Sequence, residues 1–236
     1  MNTVAFAGTE DSLVISGGLD TTVRVWDVRS SSGKPIQILN EAKDAVTSVV
    51  AAGLEIVAGS VDGRVRSYDV RMGRVVTDVI GASVTSLCVA RDGQTVLVGS
   101  LDSKVRLMDR AAGTCLRTYA DDGRRNEELR VQSVLGGGDR FVVAGDELTA
   151  TTSASGEGND NQGRIWAWDL LTGKLVAKVA VPWGPGGSEA AKRVVGRDGK
   201  EKERKNVVSC IAWKDGGSGD QFCAGGTSGV VTVFGH

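Results

Sequence analysis

The sequence predicts an all-β fold built from repeated four-stranded sheets, and three observations support that prediction. First, 33 glycines and only 3 prolines accompany dense runs of valine and isoleucine, a composition typical of many short strands joined by tight turns. Second, an Asp-Gly or related turn pair recurs between such runs, as in a β-hairpin. Third, the hairpins recur about every 40 residues, which is the period of a β-propeller blade.

The hairpin at residues 57–72, VAGSVDGRVRSYDVRM, shows the pattern in full. Asp62 and Gly63 form its predicted turn, because glycine adopts the positive φ that tight hairpin turns need. Aligned on their turns, the segments ISGGLDTTVRVWD, AGSVDGRVRSYD and VGSLDSKVRLMD differ mainly by substitution. The repeated turn aspartates are therefore Asp20, Asp62 and Asp102.

Three regular repeats follow from this alignment, at residues 1–40, 46–80 and 84–119. Each repeat is predicted to contain four strands. The predicted strands are 3–7, 13–16, 23–28 and 35–39 in the first repeat, 46–50, 55–58, 65–70 and 75–80 in the second, and 84–89, 95–98, 105–108 and 114–119 in the third.

Two further repeats are less regular. The fourth, at residues 131–181, carries an insertion at 147–161, and we interpret its SGEGNDN segment at 155–161 as a flexible hairpin loop. The fifth, at residues 207–236, has three predicted strands and follows a basic insertion at 186–206. The five repeats together predict a single propeller domain over residues 1–236, with five blades.

Charge and composition argue against several classes of function. A net charge of −1 argues against a protein that binds nucleic acid by neutralising many phosphates, so any RNA contact should be local. No apolar run reaches the length of a membrane span and residues 1–11 lack a secretory signal, so we expect an intracellular protein without a membrane partner.

Histidine and cysteine usage argues against a metal or redox centre. The sole histidine is His236, which leaves little basis for a histidine-based metal site or a catalytic triad. We expect no metal, no cofactor and no catalytic residue. The widely spaced cysteines are expected to be reduced core residues rather than disulfides or zinc ligands: Cys88, Cys115, Cys210 and Cys223.

The dipeptides at the ends of the third strands carry a family resemblance. Trp26-Asp27 and Trp168-Asp169, with the variants Tyr68-Asp69 and Met108-Asp109, are similar to those of WD-repeat propellers, and this resemblance covers the whole chain. Within residues 40–109, the segments NEAKDAVTSV, AGSVDGRVRSYDVRMG and RDGQTVLVGSLDSKVRLMD resemble the mitogen-activated protein kinase organizer, a WD-repeat scaffold that is also found with late spliceosomes.

The resemblance implies a ring of seven blades, of which this chain would lack the first two repeats. We favour a chain shortened by about two repeats. A compressed ring of five blades and an open arc completed by another chain are the alternatives.

The resemblance also implies a structural network in each blade. In WD repeats the turn aspartate, a nearby hydroxyl, the tryptophan and a histidine are hydrogen-bonded to one another. The corresponding residues here are Asp20, Asp62, Asp102, Ser16, Ser60, Ser100, Trp26, Tyr68 and Trp168. The histidine is missing from every repeat, and Gln162 and Ser228 replace the aspartate in the last two, so the network should be partial.

Two other patterns have both a structural and a functional interpretation. Three arginines recur at the same position of the repeats: Arg24, Arg66 and Arg106. We favour a structural interpretation, in which their aliphatic chains pack on the blades and their guanidinium groups lie in water. The alternative is a row of basic side chains that binds an acidic partner. Gly156 and Gly158 approach a phosphate-loop motif, but no third glycine, lysine or helix start follows them.

The basic insertion carries seven Lys or Arg residues against four acidic ones. We interpret it as a solvated, partly disordered segment, with a docking arm for RNA or an acidic protein as the alternative. Its KEKERK run resembles a nuclear-localisation patch. The candidate partner-binding residues are Arg64, Lys192, Arg193, Arg197, Lys200, Lys202, Arg204 and Lys205.

We therefore interpret the chain as a non-enzymatic scaffold, or adaptor, for protein partners. The resemblance implies components of the mitogen-activated kinase cascade and spliceosomal proteins as partners, a cytoplasmic and nuclear location, and no small-molecule substrate. The alternative is a propeller enzyme with an active site in the central channel, which would need convergent carboxylates or metal ligands. The identical register of the turn aspartates favours a structural role for them.

Overall fold

The computed structural model describes residues 1–147, 163–183, 206–214 and 221–235, together with the backbone of 193–195 and 201–203. The chain divides into two compact units, Met1–Thr118 and Tyr119–His236. Each unit consists of antiparallel sheets whose strands follow one another in chain order. A single propeller domain over the whole chain stays a prediction.

The first unit contains three sheets of four strands, and the last strand of the third sheet ends at the boundary residue Tyr119. The first sheet is formed by β1 (Thr3–Ala7), β2 (Leu13–Gly17), β3 (Val23–Asp27) and β4 (Gln37–Leu39), the second by β5 (Val46–Ala52), β6 (Glu55–Ser60), β7 (Arg64–Asp69) and β8 (Arg74–Val79), and the third by β9 (Val84–Val89), β10 (Thr95–Ser100), β11 (Lys104–Asp109) and β12 (Cys115–Tyr119).

The second unit contains a fourth sheet of four strands, a pair of short strands and a fifth sheet of three strands. These elements are β13 (Ser133–Gly136), β14 (Phe141–Gly145), β15 (Gly163–Asp169) and β16 (Leu175–Val181), then β17 (Arg193–Val195) and β18 (Glu201–Glu203), then β19 (Val208–Lys214), β20 (Gln221–Gly226) and β21 (Val231–Phe234).

The predicted all-β fold with five repeated sheets is confirmed. Strand ends differ from the predicted ones by up to two residues. The sequence analysis did not predict the β17–β18 pair, which lies within the basic insertion. A 3₁₀ turn at Thr9–Asp11 is the one helical element among the described residues, and it is far too short to cross a membrane.

Within the first unit, successive sheets pack through their first strands. The hydroxyl of Thr47 on β5 donates to the carbonyl of Val84 on β9 at 2.7 Å and to that of Gly59 on β6 at 3.0 Å. Consecutive residues are buried along β6 and β10, so both faces of these inner strands are covered. The two apolar clusters of this unit include Ile15, Val25, Val46, Ile56 and Tyr68, and Val57, Val65, Val84, Val98 and Met108.

Glycine near the end of the second strand allows this close packing. A Cβ atom on Gly59 would lie 2.5 Å from Cγ1 of Val84, and one on Gly17 would lie 2.5 Å from Cγ1 of Val46. In the second unit, a Cβ atom on Gly145 would lie 2.1 Å from the carbonyl oxygen of Val208. The repeated glycine therefore sets how closely one sheet approaches the next.

The four cysteines are not core residues, and that prediction was wrong. Cys115 and Cys210 are exposed, Cys88 and Cys223 are half-buried, and none of the four forms a disulfide bond within the described part of the chain. An apolar run in a strand points alternate side chains to opposite faces, so membership of such a run does not place a residue in the core. Cys210, for example, precedes the buried Ile211.

Replacing Gly59 by alanine should lower the free energy of unfolding by about 1–3 kcal/mol, because the added methyl group collides with Val84. Urea denaturation followed by circular dichroism measures the change. Gly33→Ala is the matched control, since a Cβ atom there meets nothing within 4 Å, and it should change stability by less than about 0.5 kcal/mol. Equal stabilities of the two variants would contradict the packing role of Gly59.

Candidate functional site

The turn between the second and third strands of the second sheet holds three polar side chains, which we call the turn cluster: Ser60, Asp62 and Arg66. The Arg66 guanidinium binds the Asp62 carboxylate (Nη2 to Oδ2, 2.7 Å) and the Ser60 hydroxyl (Nη1 to Oγ, 2.8 Å). Ser60 in turn donates to Oδ1 of Asp62 at 2.5 Å. The side chains of Arg66 and Asp62 are only 4% and 10% exposed, so this ion pair is largely buried.

The strand register brings these residues together. Arg66 lies opposite Ala58 on the paired strands, so its long side chain reaches Ser60 at the strand end and Asp62 in the turn. Gly63 takes the positive φ of the tight turn at 74°. The backbone N–H of Arg64 donates to Oδ1 of Asp62 at 3.2 Å, which fixes the carboxylate from the other side.

The third sheet repeats the turn cluster with Ser100, Asp102 and Arg106. Arg106 donates from Nη1 to Oγ of Ser100 at 2.7 Å and to Oδ1 of Asp102 at 3.2 Å, and Ser100 donates to Asp102 at 2.7 Å. Arg106 and Asp102 are more exposed than their counterparts in the second sheet.

The first sheet differs, and one element of the predicted network needs correction. Asp20 binds Arg24 at 2.6 Å, but Gly18 occupies the position corresponding to Ser60, and the two charged side chains are 47% and 38% exposed. Ser16 lies two residues earlier in the register, where its hydroxyl accepts from Nε1 of Trp26 at 2.9 Å. Ser16 therefore does not take the role of Ser60 and Ser100.

The aromatic residues of the predicted network lie in three different environments. Trp26 is half-buried and bonded to Ser16. Tyr68 is buried, and burial together with the neighbouring Glu41 carboxylate raises the pKa of its hydroxyl to about 12. Trp168 is buried with its ring stacked against Trp166 at 6.2 Å between centroids.

The arginines are the residues that sequence reasoning misread. Their charged heads do not lie in water at Arg66 and Arg106 but bind the turn carboxylates. The sequence does contain a pattern that indicates these ion pairs, because Asp-x-x-x-Arg occurs in all three regular repeats. A spacing of four along the chain across a tight turn places the two side chains next to each other.

These contacts set the charge state of the aspartates. Burial would raise the pKa of Asp62, but hydrogen bonds from Arg66, Ser60 and the N–H of Lys43, with the charge of Arg66, outweigh it and lower the pKa to about 2. At Asp102 burial is likewise outweighed, chiefly by Arg106 and Ser100, and the pKa is lowered. The pKa of Asp20 is also lowered, mainly by the hydroxyl of Thr22.

The fourth sheet has a different pair at the same place. Trp166 takes the strand position of Arg66, and its Nε1 donates to Oδ2 of the fully buried Asp146 at 2.8 Å. Asp146 follows β14 as Ser60 ends β6. Gln162, the predicted substitute for the turn aspartate, lies outside the described residues.

Next to Asp146, the carboxylate of Glu147 is held by neighbouring backbone N–H groups. Glu127 donates to Oε2 at 3.0 Å, Glu128 to Oε1 at 3.0 Å and Leu129 to Oε1 at 2.5 Å, and the Asn126 side-chain amide adds a bond of 2.8 Å. Burial would raise the pKa of Glu147, but these bonds lower it. Glu147, the first residue of the insertion, is therefore only 7% exposed, and its side chain is anchored.

The other predicted positions are only partly described. Arg64 is half-buried beside the Asp62 turn. In the basic insertion, Arg193 lies on β17 and Lys202 on β18. Lys192, Arg197, Lys200, Arg204 and Lys205 lie outside the described residues, as do Gly156, Gly158 and Asn161. Within the described part of the chain, no group of three or more His, Cys, Asp or Glu residues could hold a metal ion.

Replacing Asp62 by asparagine should lower the free energy of unfolding by about 2 kcal/mol at neutral pH, because the pKa of the carboxyl falls from 3.8 in the unfolded chain to about 2 in the folded one. A group whose pKa is lowered by folding stabilises the fold above its unfolded pKa. The difference between the native chain and Asp62→Asn should therefore vanish as the pH falls from about 4 to about 2, which urea denaturation across that range measures.

Asp20→Asn is the matched control, because the same turn position is half exposed there. Its effect on the free energy of unfolding should be clearly smaller, since an exposed ion pair is weakened by water. A loss at Asp20 as large as that at Asp62 would contradict the dependence on burial.

Comparison with known proteins finds similarity to a repeat family in part of the chain. Residues 1–27 and 74–109 match the sequence profile "WD domain, G-beta repeat". WD repeat domain-containing protein 83 of Rattus norvegicus is 40% identical over 153 residues, covering 65% of this chain and 44% of that protein. The human protein of the same name is 41% identical over 153 residues, covering 65% and 43%.

A more distant relative matches a longer stretch. The WD repeat domain-containing protein 83 homolog of Dictyostelium discoideum is 27% identical over 199 residues, covering 72% of this chain and 56% of that protein. The chain thus spans about half the length of the curated relatives that it matches. Two stretches of the chain thus resemble WD repeats, and about two thirds of its length is similar to WD repeat domain-containing protein 83.

Proposed function

We propose that this chain is a non-enzymatic scaffold whose sheets and loops bind protein partners. The main observation behind this proposal is that the recurring aspartate side chains are bound by arginines within the fold. Asp62 and Asp102 are engaged by arginines in two equivalent turns, so their carboxylates serve the fold rather than a substrate. Homology to WD-repeat proteins supports the same function.

The surface of the sheets supports protein binding. Outer and edge strands expose large apolar side chains, among them Val79 on β8, Val176 on β16 and Val233 on β21. Exposed apolar groups of this kind mark interaction sites when they lie together. Rigid strands present them at fixed positions, which limits the entropy lost when a partner binds.

The partner classes rest on the resemblance to the mitogen-activated protein kinase organizer. We propose components of the mitogen-activated kinase cascade and spliceosomal proteins as partners, in the cytoplasm and the nucleus, with any RNA contact local to the basic insertion. We propose no membrane partner and no small-molecule substrate. The candidate binding surfaces are the rim around Arg64 and the basic insertion at residues 186–206.

Affinity purification of the tagged chain from cells, quantified by mass spectrometry, tests this proposal. We expect enrichment of kinase-cascade or spliceosomal proteins relative to an unrelated β-sheet protein with the same tag. Two variants should show which surface binds the partners. One is Arg64→Glu, and the other has glutamine in place of the seven basic residues of 186–206. The variant that alters the binding surface should lose co-purification of the partners. Each variant should unfold at the same urea concentration as the native chain, which excludes a loss of binding through misfolding.

Two outcomes would contradict the proposal. One is the absence of both protein classes from the purified complexes. The other is a hydrolase activity of the purified chain that Asp62→Asn abolishes while the fold persists, since a carboxylate used only for the turn would not affect chemistry.

A further inference from the structure

An apolar cleft lies within the second unit, between the fourth and fifth sheets. One wall is formed by Ile165 on β15 and by Ala177 and Val179 on β16, and the other by Trp213 and Phe222. Its volume is about 210 Å³, and every side chain that lines it is apolar. The cleft can accommodate one large apolar side chain.

Small residues keep the cleft open. Ala167 and Ala177 lie directly opposite each other on β15 and β16, and both line it. The equivalent pair in the second sheet is Ser67 and Val76, whose side chains are larger. The alanine pair therefore leaves room that the facing aromatic residues do not fill.

The facing wall is rigid. The Trp213 ring stacks on Phe222 with 5.0 Å between centroids, and Phe222 stacks on Phe234 at 4.7 Å. Trp213 also lies over Gly136, where a Cβ atom would be 2.6 Å from the indole. The aromatic stack thus holds its shape without a ligand.

The strand beside the cleft has an open edge. β16 is the last strand of the fourth sheet, and among the described residues no strand pairs with its outer side. Its pairing with β15 shifts register near Leu175 and is regular from Ala177 to Val181. An extended peptide can add to such an edge through its main chain while alternate side chains enter a neighbouring pocket.

We propose that this cleft binds an extended peptide segment of a protein partner. The peptide pairs with Ala177–Val181 and places one side chain of leucine or phenylalanine size in the cleft, against the Trp213 ring. The proposal rests on the scaffold function and assigns one surface to it.

Nuclear magnetic resonance of the full chain labelled with ¹⁵N at the tryptophan indoles tests the proposal. The probe is acetyl-Val-Phe-Val-amide, and the Trp213→Phe variant assigns the Trp213 signal among the 5 tryptophans. We expect a saturable shift of the Trp213 Nε1–H resonance as the probe is added. The absence of such a shift up to the solubility limit of the probe would overturn the proposal.

Two equivalent strand positions provide a matched pair of variants. Ala177→Phe fills the cleft and should weaken probe binding at least tenfold. Val76→Phe makes a comparable change at the equivalent, exposed position of β8, outside the cleft, and should leave the affinity within twofold. Unchanged indole resonances of the other tryptophans show that both variants are folded. Equal binding by the two variants would overturn the cleft as the site.

The mode of binding is tested by changing the probe. A peptide N-methylated at every amide cannot pair with β16 and should bind at least tenfold more weakly. Equal affinity of the methylated peptide, or of free indole, would overturn strand addition and indicate a small-molecule pocket. Failure of these probes concerns only the cleft, because the co-purification experiment tests the scaffold function on other surfaces.

Discussion

The second sheet turns from its second to its third strand around a largely buried ion pair, Asp62 with Arg66. Removing both charges from water costs free energy, which is offset only when the pair has good geometry and further hydrogen bonds. Ser60 and the backbone N–H groups of Arg64 and Lys43 supply those bonds. The same cluster recurs in the third sheet. The regular recurrence of the turn aspartates in the sequence is therefore explained by their role in stabilising the fold.

Other sheets use different side-chain contacts at the end of the second strand. The first sheet keeps the aspartate and arginine in a more exposed form, and the fourth replaces them with a buried Asp146–Trp166 bond. Glu147 adds a second buried carboxylate, held by peptide N–H groups instead of an arginine. The shared requirement is that every buried polar group at the strand end finds a partner.

The sequence predicted the fold well because strand and turn signals are local and repeat with a fixed period. It predicted the side-chain clusters less well, because these depend on register. Ser16 resembles Ser60 in a gapped alignment, but only the strand pairing shows that it lies two residues away. Arg66 and Arg106 were misread because burial of a charge depends on partners that are not visible in composition. The cleft beside Trp213 arises from two sheets meeting, which no single motif encodes.

In this protein, charged side chains stabilise the turns, and outer strands expose apolar side chains. The central claim is that the turn aspartates stabilise the fold through their arginine partners. A double-mutant cycle between Asp62→Asn and Arg66→Gln, measured by urea denaturation, tests this claim most directly. We predict a coupling free energy of about 2 kcal/mol at neutral pH that is lost as the pH falls from about 4 through about 2, where the carboxyl becomes protonated in the folded chain. Additive effects of the two changes at neutral pH would contradict it.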